Sequence, residues 1–441
     1  MRRTIHFVSL GCAKNTVDTE RMLALAIDQG LTPVSDPMDS DIILVNTCGF
    51  IEAAKQESID TILELALHKQ KGRCITLIMA GCMSQRYPTD LANELPEVDF
   101  FLGTADLPNL ARILRGEDVS RVAVGHPNNL AEKEYERHVS GPIHTSYLKI
   151  SEGCDRLCAF CAIPIMRGRQ RSHTIPFLVK EAKKMIANGV KELVLVAQDT
   201  TAYGHDLIPK ENLVGLLNAL GEIDNSFWIR ILYAYPSSIT KDLATTIANL
   251  PQVVPYLDVP FQHIDDEVLK RMRRGYTETQ VQEVLELLRE EIPGVFLRTT
   301  LLCGHPGETK EAHEKLLDFL RKSQLDHVGV FPFSCEEDTP AAIQLDQVPI
   351  AVAHARANEA MSVQKEISKG KLCSLKGQII EVLVEGLSSE SEFLLQGRHV
   401  GQAPEIDGVV IMTDGFAQPG EIVRARVIET CDYDLVASIE V

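Results

Sequence analysis

The sequence predicts an α/β multi-domain fold: an amino-terminal parallel-sheet α/β domain, an open six-stranded (β/α) partial barrel and a small carboxyl-terminal all-β barrel. Three observations predict it. Short apolar runs alternate with helical stretches from residue 4 to about 115, the alternation resumes from 145 to about 335, and beyond about 374 short strands follow one another with turn residues between them. Beta and alpha segments in alternation build a mainly parallel sheet covered by helices, whereas closely spaced strands build a barrel or sandwich. At 441 residues the chain has length for about three domains, each with its own core.

In the first domain, expected over 1–116, the runs are "IHFVSL", "DIILVNT", "ITLIMAG" and "DFFLG", with helices over "DTERMLALAIDQG", "KQESIDTILELALHK" and "LPNLARILRG". Cys12, Cys48 and Cys82 follow directly on the first three runs, as "VSLGC", "LVNTC" and "IMAGC". The ligand crevice of an open parallel sheet lies beyond the carboxyl ends of its strands. A single free cysteine is commonly a small buried hydrophobe. Three at the same structural address instead favour a metal or cluster site.

Residues 117–143 are polar and rich in Gly and Pro signals, and read as a linker with little core of its own. The second domain, 144–350, has strands near "SYLKIS", "ELVLVA", "WIRILY", "YLDVP", "FLRTTLL" and "DHVGVFPF". Six repeats are too few for the eight-stranded barrel, but suffice for an open one whose loops meet at the carboxyl face. Residues 351–373 read as a connecting helix, and 374–441 as an all-β barrel of about five strands.

Eleven cysteines and no export signal imply a reducing compartment, where clustered cysteines hold metal more often than they form disulfides. No window approaches the run of about 18 apolar residues that a membrane span needs. The expectation is a soluble, cytoplasmic protein. A formal charge of −18 argues against sequence-blind adhesion to nucleic acid and suits a basic protein partner.

The stretch "SEGCDRLCAFCAIPIMRG" carries Cys154, Cys158 and Cys161 within eight residues. Positions i, i+4 and i+7 share a helical face, so helix packing is one reading; the flanking Gly153 and Pro164 favour a loop. A structural zinc site or an ordinary four-iron cluster takes four ligands. Three thiolates leave one iron open, and an open coordination position is where a metal meets substrate.

This spacing, with Phe160 before the last cysteine, resembles the signature of radical S-adenosylmethionine enzymes. Together with "SLGCAKN", "VNTCGF" and "AGCMSQRYP", the whole chain resembles the methylthiotransferase family, with a terminal TRAM barrel. "AQDTTAYG", "YLDVPFQHIDDEVLKRMRRG", "LDHVGVFPFSCEEDTPAA" and "GQAPEIDGVV" are similar to the branch that modifies an aspartate of the twelfth small-subunit ribosomal protein. The resemblance implies two 4Fe-4S clusters, one on Cys12, Cys48 and Cys82 and one on Cys154, Cys158 and Cys161. The second set is the catalytic one: it cleaves S-adenosyl-L-methionine to a radical that takes a hydrogen from the aspartate β-carbon. The carbon radical then receives a methylthio group held at the first cluster. An external electron donor and a sulfur donor are implied as partners. Phe160, Gly304 and Gly307 are implied at the S-adenosylmethionine site, the glycines through "LLCGHPGET".

The chain departs from the family at His305, where Phe is usual, and at Cys335, where Pro is more frequent and for which no catalytic duty is expected. Asp199, Thr200 and Thr201 suit either the active site or helix capping, and Arg271–Gly275 reads as a solvated helix end. Cys74, Cys303, Cys373 and Cys431 fit strand or junction packing. From residue 374 onward, four basic residues stand against twelve acidic ones, a net of −8. That acidity suits a basic ribosomal protein better than the runner-up substrate, a tRNA adenosine. No stable nucleic-acid binding is expected. A carrier or electron-transfer protein, the non-enzyme reading, would favour a complete four-cysteine set.

Overall fold

The computed structural model describes residues 3–128, 137–389 and 391–440. The chain divides into two compact units: Met1–Ser140 with Glu152–Arg171 and Ser334–Ala342, and Gly141–Ser151 with Ser172–Phe333 and Ile343–Val441.

The first unit is built on a six-stranded sheet in the order β2-β1-β3-β4-β5-β6. Its strands are β1 (Thr4–Ser9), β2 (Thr32–Pro33), β3 (Ile42–Thr47), β4 (Thr76–Gly81), β5 (Phe100–Leu102) and β6 (Val122–Ala123), and every pairing is parallel. All six residues of β3 are buried, as befits a central strand covered on both faces by helices. One core layer gathers Ile5, Leu25, Leu44 and Leu110, and the other Val45, Ile62, Met79 and Phe101. Strand β6 lies within the stretch read from sequence as linker. Two residues at a sheet edge are too few to show periodicity, so only their pairing with Phe101 and Leu102 reveals them.

The second unit holds β7 (Thr145–Lys149), β10 (Glu192–Val196), β11 (Trp228–Ile231), β12 (Val253–Asp258), β13 (Phe296–Cys303) and β14 (His327–Pro332) in one parallel sheet, ordered β14-β13-β12-β11-β10-β7. These are the six predicted strands. The short β8 (Ser151–Glu152) and β9 (Arg171–Ser172) form a small sheet of their own. The connecting helix runs Ile350–Ser374. It leads into a closed barrel of β15 (Ile379–Ser388), β16 (Ser391–His399), β17 (Val410–Asp414), β18 (Ile422–Thr430) and β19 (Leu435–Ile439).

Buried polar contacts fasten this barrel to the six-stranded sheet of the same unit. Glu192 on β10 pairs with Arg230 Nε at 2.7 Å and with Arg398 Nη2 at 2.5 Å. Tyr256 donates its hydroxyl to Asp407 at 2.6 Å, and His327 Nε2 meets Gly401 O at 2.7 Å. Asp199 caps the turn Thr200–Ala202 by accepting the N–H groups of Thr201 and Ala202.

Candidate metal centre

Three of the six strand ends in the first unit deliver thiols. Cys12 is the N-cap of the helix Ala13–Asp28, Cys48 follows β3 immediately, and Cys82 follows β4 and opens the helix Cys82–Arg86. The sheet register therefore assembles the set, because parallel strands end on the same side. Gly11 permits the closest approach. A Cβ there would lie 2.8 Å from Cys48 Cβ and 3.1 Å from its Sγ, and the backbone has φ +94°.

Asn15, one turn into that helix and buried, ties these ends together. Its Nδ2 donates to Leu10 O at 2.7 Å and Thr47 O at 3.2 Å. Its Oδ1 accepts from Arg167 Nη2 at 2.5 Å and faces Cys82 Sγ at 3.8 Å. The chain thus places the three thiols at neighbouring strand ends, near enough for Cys12 and Cys48 to bear electrostatically on the Cys82 thiol.

The second cysteine set lies in the same compact unit. Cys154 N donates to Gly168 O at 3.0 Å, and Cys161 N to Cys158 O at 3.2 Å. Arg156 N–H points at Cys154 Sγ at 3.3 Å. Cys158 is buried, whereas Cys154 and Cys161 are half-buried. After Cys161 the helix Ile163–Arg167 packs on the helix that begins at Cys82, with Cys82, Ala162 and Met166 in one apolar cluster flanked by Phe50 and Ile163. The Thr104 hydroxyl donates to Met166 O at 2.8 Å, and Ala341 N to Ala159 O at 2.8 Å.

Arg167 joins the two sets. Its guanidinium is 1% exposed and also bonds Asp18 Oδ2 at 2.9 Å and Glu152 Oε1 at 2.7 Å, the latter two residues before Cys154. Burial pushes the Cys12 thiol up, but Lys14, Arg167 and the N–H groups of Asn15 and Lys14 outweigh it, leaving the pKa below the ordinary thiol value. Cys48 is raised, chiefly by burial. Cys82 is pushed up to about 12 by burial despite the opposing Arg167 charge. A cation beside buried thiols favours their thiolate, metal-ligating form. Sequence reasoning missed Arg167, Asn15, Asp18 and Glu152. Each is a common polar residue without a periodic signal, and they meet only in three dimensions.

Gly304 and Gly307 lie in the second unit, after β13. A Cβ on Gly304 would stand 2.2 Å from Ala353 Cβ, and one on Gly307 2.4 Å from the Arg271 guanidinium. Packing against Ala353 requires glycine at 304, and positive φ, +85° and +82°, favours it at both positions. His305 is fully buried, stacked edge-on to Phe333 at 5.3 Å, and burial holds its pKa down at about 4. Cys335 is exposed. No helix among the described residues is long and apolar enough to cross a membrane.

The donor chemistry fits iron-sulfur clusters: two sets of three thiols in sheltered loops, with backbone N–H groups and a buried cation beside them. Comparison with known proteins bears on the same residues. Residues 4–103 match the uncharacterized protein family UPF0004, residues 148–320 the radical SAM superfamily and residues 377–439 the TRAM domain. A protein of Sorangium cellulosum named ribosomal protein uS12 methylthiotransferase RimO is 45% identical over 99% of this chain and 91% of its own length. Its Geobacter sulfurreducens counterpart is 47% identical over 99% of both.

Among solved structures, the radical S-adenosylmethionine methyltransferase TsrM from Kitasatospora setae aligns with a TM-score of 0.59 at 17% identity, covering 78% of this chain and 77% of that one. The cobalamin-dependent S-adenosylmethionine radical enzyme OxsB aligns at 0.53 and 14%, covering 82% and 56%. These two show likeness of fold. With full-length identity of this order to the curated relatives, the chain is a sulfur-group transferase of the radical SAM superfamily and belongs to the RimO methylthiotransferase family.

Proposed function

We propose that this protein adds a methylthio group to the β-carbon of an aspartate of ribosomal protein uS12, with two 4Fe-4S clusters and S-adenosylmethionine. The observation that carries the reading is the pair of three-cysteine sets in one compact unit, joined through Arg167. When bound, the clusters and S-adenosylmethionine supply the 5′-deoxyadenosyl radical and the methylthio sulfur.

The chain's own residues do the rest. Cys154, Cys158 and Cys161 would hold the catalytic cluster with one iron open. Cys12, Cys48 and Cys82 would hold the auxiliary one. Arg167 balances thiolate charge at the second of these sets while keeping Glu152, at the root of the Cys154 loop, in place. Phe160, Gly304 and Gly307 are assigned to the S-adenosylmethionine site by resemblance.

The acidic barrel supports a basic protein substrate. Arg398, one of its four cations, is buried against Glu192 and Glu385, whereas Glu381, Glu392, Glu405, Asp414, Glu421 and Glu429 face solvent. An acidic surface attracts a basic ribosomal protein and repels RNA phosphates. The proposed division keeps 1–116 for the auxiliary cluster, 144–350 for the radical core and 374–441 for docking, in a cytoplasmic protein served by an external electron donor and a sulfur donor.

The two cysteine sets are tested separately. In the reconstituted enzyme, Cys158→Ala abolishes both 5′-deoxyadenosine formation and methylthio transfer. Cys48→Ala abolishes the transfer and leaves 5′-deoxyadenosine formation. Full methylthio transfer by Cys158→Ala would refute the radical assignment.

A further inference from the structure

In the second unit, Cys303 closes β13, Glu308 lies in the turn that follows, and His313 stands in the first turns of the helix Lys310–Ser323. All three are buried, and one ligand atom from each, Sγ, a carboxylate oxygen and a ring nitrogen, lies within 4.8 Å of the other two. Neither the cluster chemistry nor the family comparisons use this group.

The hydrogen bonds around it are unbalanced. His313 Nε2 meets Glu359 Oε2 at 2.9 Å. A carboxylate accepts only, so Nε2 carries a hydrogen, and in the neutral imidazole Nδ1 then keeps a lone pair. Nδ1 faces Glu308 Oε1 at 3.8 Å, and neither atom has a hydrogen-bond partner. The other Glu308 oxygen already accepts the Gly304 N–H. Arg356 Nη1 stands 3.3 Å from Oε1 as its ion-pair partner and also donates to the Glu308 backbone oxygen, at 2.9 Å. The Arg356 charge lies to one side of Oε1, so the Nδ1 lone pair that faces this oxygen in a buried space still calls for a proton or a cation between them.

We propose that Cys303, Glu308 and His313 form a binding site for a divalent cation of the zinc class. Thiolate, imidazole and carboxylate are the ligand types zinc takes, at about 2.0–2.3 Å from the metal. Ligand atoms on one such ion stand roughly 3–4 Å apart, close to the 3.8 Å between Nδ1 and Oε1. The Glu359 carboxylate behind the imidazole is the outer partner that fixes the tautomer and orientation of a ligating histidine. One thiolate and one carboxylate balance the dication, and Arg356 stays engaged with the Glu308 carbonyl. The cation would staple the end of β13 to the following helix across the turn that contains Gly304 and Gly307. This site does not depend on the proposed function.

The test uses the full chain, reconstituted with iron and sulfide so that the six cluster cysteines are occupied, then equilibrated with Zn2+ and desalted. The expected result is about one zinc per chain, with a mixed sulfur and nitrogen/oxygen shell by zinc-edge X-ray absorption. Cys303→Val and His313→Phe lose that zinc with iron content unchanged, and Glu359→Gln weakens its binding about 10–100-fold. Cys431→Ser, at an exposed cysteine, retains it. The proposal is overturned if wild-type protein retains no zinc, which would leave a shared proton between Nδ1 and Oε1. It is equally overturned by an all-sulfur shell, or by zinc held undiminished in both ligand variants. The absorption spectrum of wild-type protein reads the shell even if a variant misfolds, and failure of cluster assembly shows separately as lost iron.

Discussion

Arg167 Nη2 bonds Asn15 Oδ1 at 2.5 Å, and the same amide oxygen faces Cys82 Sγ at 3.8 Å. The guanidinium comes from the helix just after Cys161, and the amide from the helix capped by Cys12. A single buried contact therefore aligns the loops of both cysteine sets.

Arg167→Met leaves Asp18 and Glu152 as buried or half-buried carboxylates without their cation. Breaking a buried ion pair from one side costs about 3–5 kcal/mol. Denaturant unfolding of the apo protein reads that loss. Iron retained after reconstitution falls with it, because the thiols lose the charge that favours their thiolates.

Asn15→Leu removes two donors to backbone oxygens at the ends of β1 and β3. Unsatisfied buried acceptors cost about 1–3 kcal/mol. Iron content per chain is expected to drop, while the carboxyl-terminal barrel, monitored by hydrogen exchange of β15 to β19 amides, keeps its protection.

Glu192 sits fully buried between Arg230 and Arg398. Burial raises its pKa, but the two guanidinium groups outweigh that and hold it at about 2, below the ordinary 4.5. Its stabilising contribution is complete above about pH 4.5 and is lost as pH falls toward 2. Glu192→Gln strands the buried Arg230 and leaves Arg398 with Glu385 alone, and is expected to cost about 3–5 kcal/mol at neutral pH. Urea unfolding across pH 2–5 should show a shallower acid slope in the variant than in wild type.

His399 stacks edge-on with Phe296 at 5.3 Å, and burial holds its pKa at about 3. The unfolded chain takes up this proton near pH 6.5 and the folded chain does not. Stability from this group is therefore present above pH 6.5 and declines as pH falls toward 3. His399→Gln should flatten the decline of the urea midpoint between pH 6.5 and 4; an unchanged slope would show that His399 is not buried neutral.

Much of this was legible in the sequence, and for physical reasons. Cys12, Cys48 and Cys82 each end an apolar run, and a parallel sheet sends all such ends to one side. The barrel announced itself through closely spaced strands with turn residues. Val122–Ala123 was not legible, because two edge residues carry no period. Arg167 was not legible either. Its burial depends on Asn15 and Asp18, about 150 residues earlier, and nothing local marks an arginine that will lose its water. His305 stood out only as a departure from a family pattern, and the structure buries it edge-on against Phe333.

The most direct test offers reconstituted enzyme, S-adenosylmethionine and a reductant both uS12 and tRNA in one tube, with mass spectrometry of each product. A methylthio gain on one aspartate of uS12, with tRNA unchanged, is the predicted result. A gain on tRNA alone would contradict the assignment of the acidic barrel and of the substrate.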